Sequence, residues 1–171
     1  MPLTANGFET ESHSVFFLSI HSAEEALHFN LWAHRLKEMG SFYGALPGHD
    51  GLWLSAKATS DDLLSRLAVV HLVLEGRGLD VTPSSMRKLK NAEDERSLNL
   101  LQIIYRDEIT HVRSGMVWFK YLCKEIGIGN PVEHFQQIVR RKFDGNLKPP
   151  FNEAAREQAG FSKEWYLPLA S

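Results

Sequence analysis

Two Glu-x-x-His pairs, Glu25-Ala-Leu-His28 and Glu108-Ile-Thr-His111, lie far apart in this chain, each inside a stretch with helical periodicity. Residues three apart share one face of a helix, so each pair presents a carboxylate and an imidazole to the same point. Charged groups on an apolar face are costly unless they are paired or bound to a metal. Two such helices packed together match the ligand arrangement of a dinuclear carboxylate bundle. The pattern therefore restricts the fold to a helical one in which these faces meet.

The bulk of the sequence agrees with a helical globular domain. At 171 residues the chain is long enough for one domain with a sizeable core. A 43% hydrophobic and 23% charged composition is ordinary for such a domain. A net charge of −2 argues against nucleic acid or an anionic membrane as partner. The single cysteine, Cys123, excludes an intrachain disulfide and suits a reducing, cytoplasmic setting. The apolar run Val15–Ile20 is too short to span a membrane, and no basic segment precedes it. The expectation is a soluble protein with a small-molecule substrate.

Along the chain, residues 1–12 are polar and read as disordered or a loop. A helix is predicted over 14–39, ended by Gly40. Residues 42–53 read as a loop whose aromatic and apolar content should pack down. Thr59 or Ser60 is expected to cap a second helix, carrying Leu64, Leu67, His71, Leu74 and Glu75, and Gly76 and Gly78 to close it. Thr82-Pro83 then opens a short helix to about residue 91. The long apolar stripe from Leu98 to Leu122 predicts one helix over about 92–126, ended by Gly127. Pro131 starts another, to about residue 143, and short helical pieces follow Lys148-Pro-Pro150. No segment alternates with period two, so the class is all-α.

Each candidate ligand has a competing explanation. Glu25 sits three residues after Ser22 and would complete a capping box, if the helix began there. His28 would serve equally as a hydrogen-bonded core histidine. On a solvated face Glu108 would pair with Arg106 or Arg113, and Glu75 with Arg77. His71, one turn before Glu75, is placed as a supporting partner rather than a ligand. Tyr105 and Cys123 read as core residues, and His49-Asp50-Gly51 as a turn.

Several segments occur together in the order of a known bacterial family. They are Glu24-Glu-Ala-Leu-His-Phe29, Leu46-Pro-Gly-His-Asp-Gly-Leu-Trp53, Leu74-Glu-Gly-Arg-Gly-Leu-Asp-Val-Thr-Pro83, Arg106-Asp-Glu-Ile-Thr-His-Val112 and Pro150-Phe-Asn-Glu-Ala-Ala-Arg156, followed by Ala159-Gly-Phe161. Over roughly residues 16–161 the chain resembles the ferritin-like family known as domain of unknown function 455. The resemblance implies a single ferritin-like bundle with residues 131–171 as a helical C-terminal extension. It also implies a di-iron or di-manganese site held by Glu25, His28, Glu75, Glu108 and His111. Oxygen-dependent oxidation of an unknown substrate follows from it, with a helical scaffold without turnover as the alternative. Family members resemble a bundle with an earlier helix supplying another Glu. Only 24 residues precede Glu25, so the chain reads as truncated at its N-terminus. The groove left there, bordered by Phe16, Phe17, Ile20, Leu67 and Trp118, is expected to be covered by a homodimer or another partner.

Overall fold

The computed structural model describes the backbone of residues 5–171 and the side chains of residues 21–171. The chain divides into two compact units, Met1–Pro47 and Gly48–Ser171. Among the described residues the secondary structure is helical, apart from one isolated bridge between Leu147 and Ala170. The protein is an all-α helical bundle. No helix among the described residues is long and apolar enough to cross a membrane.

The first unit is built on α1, Ala5–Glu38. The helix therefore starts well before residue 14 and takes in most of the polar stretch expected to be disordered. Weak apolar periodicity there hid a segment that α1 simply continues. Gly40 stops the helix at φ +76°, with its N–H donating to the Lys37 carbonyl and the Ser41 N–H to that of Leu36. Glycine adopts this left-handed conformation without a Cβ clash. The segment after it does not pack down as expected. Phe42, Tyr43 and Leu46 are exposed, although the Tyr43 ring meets Phe29 edge-on at 5.1 Å.

The second unit opens with α2, Gly51–Ala58, where a loop was expected up to residue 53. Leu52, Trp53 and Leu54 all stay exposed. Three consecutive residues sweep about 200° around a helix, so no single face buries them all. His49 makes the anticipated turn, its Nδ1 accepting from the Gly51 N–H at 3.3 Å. Thr59 ends α2 instead of capping its successor, its hydroxyl donating to the Ser55 carbonyl and accepting from Arg66 Nε.

The cap of the next helix is Asp62, which accepts from the Leu64 and Ser65 backbone N–H groups and from the Ser65 hydroxyl. Burial alone would raise its carboxyl, but these bonds and the nearby Lys142 charge hold it below the usual range. A depressed folded-state value means that its contribution is present above the unfolded value and vanishes as pH falls through the folded one. Asp62→Ala is expected to cost about 1 kcal/mol at neutral pH. Urea melts of both proteins should converge as pH falls below the ordinary carboxylate range if this cap is the cause.

From Asp62 the chain stays helical through α3 (Leu63–Arg66), a π-helical segment (Leu67–Leu74) and α4 (Glu75–Asn91). No break occurs at Gly76–Gly78. Gly76 is a packing residue: a Cβ there would lie 3.4 Å from both Arg156 Nη1 and Phe161 Cε1. Nor does Pro83 begin a helix. Proline has no N–H for the carbonyl four residues earlier, that of Leu79. Asn152 Nδ2 donates to that carbonyl instead, at 3.1 Å, which accounts for a proline inside the helix.

Asp94 caps α5, Glu95–Glu125, and Asn130 caps α6, Pro131–Lys142. Asn152 caps α7, Glu153–Gln158, and α8 spans Lys163–Tyr166. These last elements are not an appendage. Phe135, Ile138, Phe161, Trp165 and Tyr166 are buried in the same core as Leu72, Val112, Phe119 and Cys123. Burial also raises the Cys123 thiol, as its reading as a core residue implies. Leu67, expected beside an open groove, is buried in this core too, and Trp118 packs against it. Phe16, Phe17 and Ile20 fall outside the described side chains.

Candidate metal centre

Two helical segments of the second unit bring the site together. Glu108 and His111 stand three residues apart in the middle of α5, flanked by buried Ile109 and Val112. Glu75 stands at the junction between the π segment and α4. One ligating atom from each of Glu75, Glu108 and His111 lies within 4.8 Å of the others. His111 is almost fully buried, with 1% of its side chain exposed, and Glu75 and Glu108 each expose 19%. His111 Nδ1 approaches Glu108 Oε2 at 3.8 Å.

His71 Nδ1 lies 2.8 Å from Glu75 Oε1 and sets the direction of that carboxylate. The contact is the one that the four-residue spacing of His71 and Glu75 allows. The other oxygen, Glu75 Oε2, is buried and has no hydrogen-bond partner. A buried anionic oxygen left in that condition is costly. A cation among these three residues removes the cost, and carboxylate with imidazole is a donor set that iron, manganese and zinc accept. The residues present therefore fit a metal.

The competing explanations weaken here. Arg77 turns to the Lys148 carbonyl at 2.9 Å, not to Glu75. Arg106 and Arg113 donate to the carbonyls of Gln102 and Gln158. Glu25 lies some twenty residues inside α1, so the capping box at Ser22 does not exist. In the first unit, His28 Nδ1 lies 3.7 Å from Glu25 Oε1. Its imidazole is buried while the Glu25 carboxylate is more than half exposed. Glu25 thus does not share the burial of Glu75 and Glu108.

Two features of the site were not visible in the spacing of residues. The first is the π segment, whose wider turns rotate His71 and Glu75 relative to a regular helix; such segments recur at functional sites. The second is Gly115, one turn beyond His111. A Cβ at this position would lie 2.9 Å from His71 Cβ and 3.1 Å from Leu72 Cδ2. Only a glycine lets α5 approach the π segment this closely. Gly115→Ala should cost about 1–3 kcal/mol, because the opposing Cβ cannot move without its backbone. Thermal melts check the cost, and an alanine variant as stable as the parent would mean that the segments are free to separate.

Asn152 is a further residue whose role the sequence did not disclose. Its backbone N–H donates to Asp80 Oδ1 at 2.9 Å, and its side-chain amide to Tyr105 Oη at 2.7 Å as well as to Leu79. It thereby joins α4, α5 and the start of α7.

Comparison with known proteins agrees with the order of motifs. The family described as protein of unknown function, DUF455, matches residues 16–167. An uncharacterised protein of Haemophilus influenzae is 40% identical over 140 residues, covering 82% of this chain and 48% of that relative. The chain thus spans about half the length of the relative that it matches. No solved structure matches. With nearly its whole length matched and a curated relative at this identity, the chain belongs to the DUF455 family.

Proposed function

We propose that the chain is a ferritin-like metalloprotein with a dinuclear iron or manganese centre, and that it is an oxygen-dependent oxidoreductase. The observation that carries this reading is the buried, unpartnered Glu75 Oε2 beside Glu108 and His111. Glu75, Glu108 and His111 would hold the metal, with Glu25 and His28 as the remaining ligands. Support for that last pair is the repeated Glu-x-x-His spacing, which matches the ligand pattern of ferritin-like bundles. Metal held by carboxylates and imidazoles with open positions supplies oxygen activation. The chain's own part is to fix Glu75 through His71, to bury the His111 imidazole, and to keep bulk water away with Ile109 and Val112.

Elemental analysis of protein purified without chelator tests this. Bound iron or manganese is expected, lost in Glu108→Ala and in His111→Ala. His71→Gln removes only the outer partner of Glu75 and should weaken binding about 10–100-fold. Affinity should rise with pH, because bound ligands must shed their protons. Protein that takes up no metal even from iron-supplemented medium would overturn the reading and leave a helical scaffold without turnover.

The reading includes a homodimer. Leu52, Trp53 and Leu54 on α2 and Val117 on α5 are exposed apolar side chains that a second copy would cover. Light scattering should give twice the chain mass; a well-behaved monomer would exclude it.

A further inference from the structure

A different part of α4 carries a second concentration of charge. Arg77 follows Glu75 by two residues, about 200° around the helix, and so faces away from the metal ligands. A cavity of about 630 Å³ is lined by Arg77, Asp80, Arg87 and Lys88, with Val81, Pro83 and Phe151 as apolar wall. A smaller cavity of about 110 Å³ shares Arg77, Asp80 and Phe151 with it and adds Lys148 and Arg156. Five cations thus meet one carboxylate, in a chain whose net charge is −2.

That carboxylate is already committed. Asp80 accepts from Arg156 Nε and Nη2 at 2.9 and 2.7 Å, and both side chains are buried. Arg77 Nη1 is 3.9 Å from Asp80 and donates to the Lys148 carbonyl. The side chains of Arg87, Lys88 and Lys148 enter no ion pair among the described residues. Arg156 Nη1 is buried and makes no hydrogen bond. Like charges gathered in a concave surface repel one another and raise the local concentration of anions. Guanidinium groups match phosphate oxygens in pairs. A volume of this size is that of a small-molecule site, with apolar wall for the organic part and a few polar groups for orientation.

We infer that this paired cavity binds a small organic molecule carrying two or more phosphate groups. It is separate from the candidate metal centre and does not depend on it.

Isothermal titration with inorganic pyrophosphate, in the presence of chelator so that no bound metal takes up the anion, tests the site. Saturable one-to-one binding is expected, weakened tenfold or more in the Arg87→Gln, Lys88→Gln double variant. Both side chains are exposed, so this variant should fold; Lys148→Gln, in the inner cavity, should weaken binding independently. Lys124→Gln, at the far end of α5, should bind as the parent does. Absence of saturation at millimolar pyrophosphate would overturn the inference, as would equal binding by the double variant. So would tight binding of a duplex oligonucleotide that pyrophosphate fails to displace, because the surface would then serve nucleic acid.

Discussion

Asp80→Ala is expected to destabilise the protein by about 3–5 kcal/mol, the cost of leaving a buried charge without its partner. In a chain of this size that lowers Tm by about 6–20 °C. The pair is bidentate and wholly internal: 0% of the Asp80 side chain and 2% of the Arg156 side chain is exposed. The guanidinium lies over the rings of Phe151, Phe161 and Tyr166, its carbon 5.0, 5.1 and 4.4 Å from their centroids. Without Asp80 the Arg156 charge stays among these rings, and the Asn152 N–H loses its acceptor. Replacing both members of such a pair by apolar residues is often close to neutral. The double variant Asp80→Leu, Arg156→Met should therefore recover much of the loss. Denaturant titration of the two proteins checks this. If Asp80→Ala costs less than about 1 kcal/mol, the charge has found water or another partner, and the internal pair is not what joins α4 to α7.

Phe135→Ala should cost about as much, roughly 3–5 kcal/mol, as expected for deletion of a buried aromatic ring. Phe135 is fully buried on α6 and meets Phe119, Phe161 and Trp165 at centroid distances of 5.9, 5.6 and 5.6 Å. The first two contacts are edge-on, at interplanar angles of 88° and 85°. Such pairs add about 0.5–1.5 kcal/mol each beyond area burial. Three elements separated in sequence, α5, α6 and the segment from α7 to α8, meet at this ring. Leu52→Ala provides the contrast, because α2 buries none of its residues within one chain, and at concentrations low enough to keep the chain monomeric the change should stay within about 0.5 kcal/mol. Equal losses at the two positions would mean that the exposed face of α2 is covered in solution. A small loss at Phe135 would mean that the C-terminal segment docks only loosely.

Helical class, the long α5, the start of α6 at Pro131 and the stop at Gly40 were legible because they rest on local rules. Apolar periodicity, proline at the first position of a helix and glycine after one act over a single turn. The Glu-x-x-His spacing belongs to the same category: it placed Glu108 and His111 on one face before any fold was known. Glu75 and its partner His71 were likewise legible, four residues apart on an apolar stretch.

The breaks expected within α4 were absent for a shared reason. Gly76, Gly78 and Pro83 look like breaks because their local preference opposes helix, yet α4 runs through them. Asn152 takes up the Leu79 carbonyl that Pro83 leaves open, and the Arg156 and Phe161 side chains occupy the space where Gly76 lacks a Cβ. Both compensations come from residues roughly seventy to eighty-five positions away. The close approach at Gly115 belongs with them, since the His71 and Leu72 side chains that it meets lie on another helical segment. By itself, then, the sequence determined the helical class and which side chains share a face. Only the tertiary structure decided where helices continue against their local preference and how Glu75, Glu108 and His111 come together. A backbone group or charge that is costly in isolation becomes tolerable once a distant segment supplies its partner.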